Sequence, residues 1–158
     1  MDEGSAEARE PVLVSACLLG RACRYDGRHN ADRVLEDELA REGLRAVPYC
    51  PEEAGGLGTP RPPAWIAGGD AGDVFEGRAR VVTDAGADVS AQFLAGARGA
   101  LETCRAHGIA RAFLKERSPS CGVTATHAEE RLVAGPGVTA ALLARAGIDV
   151  RGVEGRRA

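Results

Sequence analysis

The sequence predicts a single α/β domain, a three-layer sandwich built on a mainly parallel sheet. Short apolar segments alternate along the chain with segments of helical periodicity, which is typical of strand–helix–strand units. The 158 residues are about the length of one domain, and no repeat, low-complexity segment or linker divides them. We therefore expect one domain over residues 11–158. Residues 1–10 are acidic and polar, and we expect them to form a disordered tail.

The first strand and the first helix are predicted near the N-terminus. In residues 11–17, a proline is followed by three consecutive aliphatic side chains and then by small ones, which indicates a buried strand. Residues 30–43 carry an apolar stripe of helical spacing. Asn30 or Asp32 can cap the start of this helix, and Gly43 stands at its stop position.

A second strand, a loop and an extended segment follow. Residues 44–50 predict a short second strand. Residues 51–69 are rich in proline and glycine, so they predict a structured loop. Residues 74–83 are expected to be extended, with a strand at residues 80–83.

The second half of the chain contains the clearest helix. Residues 88–108 place their apolar side chains on one helical face at about 100° per residue, with Asp88 as the N-cap and Gly108 as the stop. Residues 110–115 predict a third core strand, and residues 117–137 predict a loop. A last helix is expected from residue 136 or 137 to Gly147, followed by a strand at residues 148–153.

Charge and hydropathy exclude several classes of protein. Twenty basic and 23 acidic residues give a net charge of -3, which argues against binding to an extended nucleic acid. No apolar run approaches the ~20 residues of a membrane span, so no membrane partner is expected. The N-terminus lacks the apolar region of a signal peptide, and we expect a cytoplasmic protein.

The positions of the five cysteines indicate a candidate site. Cys17 and Cys50 end the first two predicted strands, and Cys121 follows the third. Because the carboxyl ends of parallel strands form one edge of a sheet, these three side chains are expected to meet there. Converging thiolates suit a soft metal, namely zinc, copper(I) or an iron–sulfur cluster. Cys104 lies on an apolar helix face and is expected to be a core residue, whereas the role of Cys23 stays open.

Three segments carry a more specific pattern, and each contains one of the three cysteines that are expected to meet. They are SACLLGRACRYDG at residues 15–27, CPEEAGGLGTPRPP at residues 50–63, and LKERSPSCG at residues 114–122. In their order, spacing and combination, they resemble the domain of unknown function 523 family, which includes the thiouracil desulfidases. The resemblance extends from Val12 to Glu154.

This resemblance implies a fold, a cofactor and an activity. The fold is a Rossmann-like single domain, and the cofactor is a [4Fe-4S] cluster on Cys17, Cys50 and Cys121. The activity is removal of sulfur from a thiolated pyrimidine, releasing the oxo-pyrimidine and sulfide, with the open iron binding the substrate sulfur. The matching positions imply that Glu52 and Ser118 are catalytic.

Other residues of the same segments are expected to contact the small-molecule substrate. Arg24 and Lys115 offer positive charge, and Tyr25 offers a ring on which a pyrimidine can stack. For Ser120 two roles stay open, a substrate contact or a turn of the loop. Glu116 is expected to form a structural ion pair. The histidines are expected to be surface residues: His29, His107 and His127.

Two departures from the family pattern concern the pocket. Trp65 stands where the family usually has an acidic residue, and residues 126–133 lack its usual aromatic-Asp-Gly-aromatic stretch.

The alternative function is a non-catalytic cluster- or zinc-binding protein: a sensor, a sulfur carrier or a structural module. Both a monomer and a homodimer are compatible with the sequence.

Overall fold

The computed structural model describes residues 9–128 and 131–158. Most of the predicted N-terminal tail, residues 1–8, lies outside the described residues, as do residues 129–130 of the divergent segment. Glu10 belongs to the first strand rather than to the tail, because it pairs with Leu44 of the neighbouring strand.

Strands and helices alternate as the sequence predicts. The strands of the described residues are β1 (Glu10–Ser15), β2 (Leu44–Tyr49), β3 (Ala64–Ala67), β4 (Arg80–Thr83), β5 (Arg111–Lys115), β6 (Ala125–Ala128), β7 (Arg131–Ala134) and β8 (Asp149–Val153). The α-helices are α1 (Arg33–Arg41), α2 (Pro51–Ala54), α3 (Ala71–Phe75), α4 (Ser90–His107) and α5 (Val138–Arg145). A short 3-10 helix, Ala16–Leu19, follows β1 directly.

The central sheet is parallel throughout and has the strand order β2-β1-β5-β8. Val14 of β1 lies between Pro48 of β2 and Phe113 of β5. The carboxyl ends of β1, β2 and β5 therefore lie side by side at one edge. The predicted fold class, a Rossmann-like three-layer sandwich, is confirmed.

Side chains alternate between the two faces of the sheet and form two cores. On one face, Val12 and Val14 pack with Leu35 and Leu39 of α1. The opposite face packs against α4 and α5, in a cluster that includes Leu13, Leu114, Ala100 and Leu143. Helices on both sides of the sheet make the three layers.

A third core lies beyond this second helical layer. Phe93 of α4 is completely buried there with Ile66 of β3 and Val81 of β4. The antiparallel pair β3–β4 is therefore fixed to α4 rather than to the central sheet.

Three segments differ from the sequence-based expectations. The segment expected to be extended, residues 74–83, begins instead inside α3, which Asp70 and Asp73 start with a capping box. The predicted loop at 51–69 contains α2 and β3, and the predicted loop at 117–137 contains the antiparallel pair β6–β7. Each of these elements is four or five residues long, which is too short for periodicity to reveal.

The caps of the longer helices also follow from particular residues. Asp32 caps α1 by accepting a 2.9 Å hydrogen bond from the amide of Leu35. Gly108 ends α4 in the left-handed conformation. Among the described helices, none is long and apolar enough to cross a lipid bilayer.

Candidate functional site

A cavity of about 440 Å³ opens at the carboxyl edge of β1, β2 and β5. Four of the five cysteines line it: Cys17, Cys23, Cys50 and Cys121. The fifth, Cys104, is buried in the core between α4 and the sheet, as expected. No disulfide joins cysteines in this structure, so all five are free thiols.

Each of the three predicted cysteine ligands is placed by the element that precedes it. Cys17 lies in the 3-10 helix after β1, and Cys50 is the N-cap residue of α2 directly after β2. Cys121 lies in the loop after β5 and is 4% exposed. The parallel sheet thus brings together three thiols that are distant in sequence.

Cys23, whose role the sequence left open, belongs to the same site. It is buried, and its Sγ, the Sγ of Cys50 and a carboxylate oxygen of Glu53 lie within 4.8 Å of one another. Arg61 fixes this stretch of backbone by donating a 2.8 Å hydrogen bond to the carbonyl oxygen of Cys23.

The environment of Cys17 favours its thiolate. A hydrogen bond with the Cys23 thiol lowers the pKa of Cys17 to about 7, against the effect of burial. A hydrogen bond from Asn30 and the positive charges of Lys115 and Arg24 act in the same direction. A thiolate is the form in which cysteine binds metals.

The other thiols of the cavity differ in their protonation. Cys23 holds its proton, because hydrogen bonds with Cys17 and Cys50 raise its pKa. The same hydrogen bond with Cys23 lowers the pKa of Cys50. Burial raises the pKa of Cys121 to about 12. A bound metal cation would reverse that effect, because a coordinating thiol is deprotonated.

Glu52 is held between a cation and a hydroxyl at the same edge. Its Oε1 accepts a 3.1 Å ion-paired hydrogen bond from Nε of Arg61. Its Oε2 accepts a 2.9 Å hydrogen bond from the hydroxyl of Ser120. Both charged side chains are mostly buried, so the pair is shielded from solvent.

Glycines allow the helix that carries Glu52 to approach α4 closely. A Cβ atom at Gly96 would overlap the carbonyl group of Pro51, and one at Gly55 would overlap the carbonyl group of Gln92. The hydroxyl of Tyr49 donates a 2.8 Å hydrogen bond to the carbonyl oxygen of Gly96. The carboxyl end of β2 and the start of α2 are therefore both fixed to α4.

The two serines of the SPSCG segment have different contacts. The Ser118 Oγ accepts hydrogen bonds from the backbone amides of Ser120 and Cys121, each of 3.1 Å. The Ser120 hydroxyl is buried and faces Glu52. Of the two, Ser118 therefore makes the turn of the loop, although its Oγ also lies 3.0 Å from the Ser120 Oγ.

Lys115 and Glu116 do not form an ion pair with each other. The Lys115 Nζ donates a 2.9 Å hydrogen bond to the Glu116 carbonyl oxygen and lines the cavity. The Glu116 carboxylate accepts hydrogen bonds from the amides of Val123 and Thr124 and from the Thr124 hydroxyl. Glu116 is structural as expected, but it stabilises a loop instead of pairing with a cation.

Arg24 and Tyr25 lie at the mouth of the cavity. Arg24 forms a 3.0 Å ion pair with Asp26 and donates a 3.0 Å hydrogen bond to the Asn30 side chain. Tyr25 is 44% exposed, which leaves its ring accessible to a ligand.

Among the other residues that line the cavity are four polar ones that the sequence analysis did not place in the site: Asn30, Arg61, His127 and Arg156. Arg61 lies between two prolines, and this composition indicates a rigid turn. It does not indicate which side chain Arg61 contacts. Asn30 was an expected helix cap. His127 is exposed, as expected, and lies on the cavity rim. Trp65 of β3 also lines the cavity, so this departure from the family pattern bears on the pocket itself.

Comparisons with known proteins find a matching family and a similar relative. The family described as 2-thiouracil desulfurase matches residues 12–154. An uncharacterized protein, YbbK of Bacillus subtilis (strain 168), is 43% identical over 146 residues, which cover 88% of this chain and 93% of the relative.

A solved structure is also similar to this chain. It is described as the [4Fe-4S]-dependent thiouracil desulfidase TudS, and it superposes with a TM-score of 0.78 at 47% sequence identity. The match covers 91% of each chain. With a family match over nearly its whole length, this chain belongs to the 2-thiouracil desulfurase family.

Proposed function

We propose that this protein is a [4Fe-4S]-dependent desulfidase that converts a thiolated pyrimidine and water to the oxo-pyrimidine and sulfide. The observation that carries the proposal is a single cavity lined by Cys17, Cys50 and Cys121 together with Glu52. Family membership and the similarity to TudS point to the same activity. A volume of about 440 Å³ is within the range of small-molecule sites.

The residues present fit an iron–sulfur cluster. The donors at the sheet edge are thiols, which are the ligands such clusters use, and they come from separate loops that enclose one space. Cys17, Cys50 and Cys121 would hold the cluster. When bound, it would supply an open, thiophilic iron that polarises the carbon–sulfur bond of the substrate.

Glu52 is the proposed proton-transferring group. The Arg61 guanidinium and the Ser120 hydroxyl hold the two oxygens of its carboxylate in fixed directions. From that position Glu52 removes a proton from the attacking water or delivers one to a ring nitrogen. Ser120 orients Glu52, and Ser118 keeps the Cys121 loop in shape. Neither serine has to act as a nucleophile.

The remaining contacts orient the substrate. Tyr25 offers an accessible ring for stacking, and Lys115 and Arg24 contribute positive charge to the cavity. A cavity of about 440 Å³ and a net charge of -3 favour a small thiopyrimidine over an extended nucleic acid. Free thiols and an oxygen-sensitive cofactor are typical of the reducing cytoplasm, where we expect the protein to act.

Anaerobic metal analysis combined with turnover tests the proposal. The protein is reconstituted with iron and sulfide and then assayed with 2-thiouracil and 4-thiouracil for sulfide and uracil. We expect about four irons and four sulfides per chain, and turnover of at least one substrate. Replacing Cys17, Cys50 and Cys121 together with Ala is expected to abolish both.

Cys104→Ala is the matched control, because it removes a buried thiol away from the cavity. It should keep its iron. The proposal would be overturned if Cys104→Ala lost its iron while the triple variant kept it. It would also be overturned if the wild-type protein took up no iron.

A zinc site is the second candidate, and one observation favours it. Cys23, Cys50 and Glu53 bring two sulfurs and a carboxylate oxygen within 4.8 Å of one another, a donor set that zinc accepts. Anaerobic protein that contains zinc and no labile sulfide, with the zinc lost in Cys23→Ala, would support this candidate. Zinc retained in Cys23→Ala would contradict it.

A further inference from the structure

Asn30 connects the site to two arginines from different parts of the chain. Its side-chain Nδ2 donates a 3.3 Å hydrogen bond to the Sγ of Cys17. Its Oδ1 accepts one 3.0 Å hydrogen bond from Arg24 and another of 3.0 Å from Nε of Arg156. Asn30 itself is 3% exposed. Every polar atom of this buried amide therefore has a partner.

The two guanidinium groups determine which way the amide points. A reversed Asn30 side chain would place its NH₂ group against two cations, and its oxygen against the Cys17 sulfur. Neither contact is favourable, since a guanidinium has no acceptor and a thiolate has no donor. Arg24 and Arg156 thus keep the N–H of Asn30 directed at the sulfur.

The backbone of the C-terminal segment places Arg156 beside Asn30. The Arg156 amide donates a 3.2 Å hydrogen bond to the Asn30 carbonyl oxygen. Arg156 has a φ of 62°, a conformation that is uncommon for residues other than glycine. A Cβ atom at Gly155 would lie 3.1 Å from the Asn30 Cβ and 3.1 Å from the Leu18 side chain, so glycine permits the close approach.

We propose that Asn30 is a positioning residue for Cys17, and that Arg156 acts through it. This inference rests on the proposed function, because it takes Cys17 as a cluster ligand. A hydrogen bond to a ligating sulfur withdraws electron density from it and stabilises the reduced cluster. Asn30 therefore raises the reduction potential of the cluster and makes its iron harder to remove.

Four variants of the reconstituted holoprotein test the inference. Asn30→Ala removes the donor, and Asn30→Asp keeps the shape but directs a carboxylate oxygen at the sulfur. Arg156→Ala removes one of the two arginine contacts that orient the amide. Arg157→Ala is the control, matched in charge and position, because Arg157 binds Asp32 instead of Asn30. The readouts are the midpoint potential of the cluster and the chelator concentration that removes half of its iron.

We expect a more negative potential in Asn30→Ala, a still more negative one in Asn30→Asp, and a smaller shift of the same sign in Arg156→Ala. The chelator concentration should fall about 10-fold or more in the two Asn30 variants. Arg157→Ala should leave both readouts at the wild-type values.

Two outcomes would overturn the inference alone: unchanged potentials in both Asn30 variants, or an Arg157→Ala shift as large as that of Arg156→Ala. A wild-type protein that holds no cluster would overturn the proposed function and this inference with it.

Discussion

The carboxylate of Glu52 and the hydroxyl of Ser120 meet at 2.9 Å, although 68 residues separate them in the chain. This contact joins the helix that follows β2 to the loop that follows β5. It also connects the segments that carry Cys50 and Cys121. The proposed proton-transferring group is therefore positioned by the same loop that contributes a proposed cluster ligand.

Glu52→Gln tests the role of the carboxylate directly. Glutamine keeps the shape and can still accept a hydrogen bond from Ser120, but it cannot serve as a base. We expect turnover of the thiopyrimidine to fall by about 10²–10⁴-fold, which is typical for loss of a general acid or base. Iron content should stay at the wild-type value.

Sulfide release and iron content are measured on the same Glu52→Gln sample, with Glu36→Gln on the exposed surface of α1 as the control. Full activity in Glu52→Gln would refute the assigned role.

Ser118→Ala and Ser120→Ala should have separable effects. Removing the Ser118 hydroxyl leaves two backbone amides of the Cys121 loop without an acceptor, so we expect the unfolding free energy to fall by about 1–3 kcal/mol. Ser120→Ala should mainly reduce kcat, because it releases one oxygen of Glu52.

A double-mutant cycle between Ser120→Ala and Glu52→Gln should be non-additive, since the two side chains are in contact. Kinetics and urea unfolding of all variants provide the comparison. Additive losses would mean that the two residues act independently.

Gly96→Ala should destabilise the site, against the usual trend for a helix. Replacing glycine by alanine inside a helix ordinarily stabilises by about 0.5–1 kcal/mol. Here the added methyl group would overlap the carbonyl of Pro51 and push α2 away from α4. We expect a lower melting temperature and reduced iron retention, measured by calorimetry and iron analysis. A more stable variant with full iron content would contradict this account.

The Glu116 carboxylate should make stability depend on pH. Burial raises its pKa, but the hydrogen bonds from Val123, Thr124 and Ala125 outweigh burial and lower the pKa below its ordinary value of 4.5. A lowered pKa means that the ionised group stabilises the fold above about pH 4.5. This contribution is lost as the pH falls through the folded-state pKa.

Glu116→Gln should therefore cost about 2 kcal/mol of unfolding free energy at pH 7 and less at pH 3.5. Urea unfolding at the two pH values measures the difference, again with Glu36→Gln as the control. An equal cost at both values would show that ionisation of Glu116 does not contribute.

The features that were predictable from sequence are those that a repeating pattern encodes. Aliphatic runs such as Val12–Val14 and the apolar face of α4 identify the sheet and its covering helix. Because parallel strands end at one edge, the strand-end positions of Cys17, Cys50 and Cys121 were enough to predict a common cavity. The motifs then added the family.

The features that were missed depend on tertiary contacts between short, irregular segments. The partner of Arg61 is Glu52, and nothing local in the Pro-Arg-Pro turn indicates it. The proximity of Cys23 to Glu53, and the approach of Arg156 to Asn30, arise only when the loops close on one another. The same limitation applies to Ser118 and Ser120, whose different contacts cannot be inferred from positions two residues apart.

The pairing of β1 with β5 sets the order in which the protein can mature. The segment that carries Cys121 is synthesised 104 residues after the one that carries Cys17. The sulfur atoms of Cys17 and Cys121 come together only after these strands have paired. A partly synthesised chain therefore lacks a complete set of ligands for a cofactor. Cofactor delivery must therefore follow folding, and once bound, the cofactor would stabilise the native pairing by mass action.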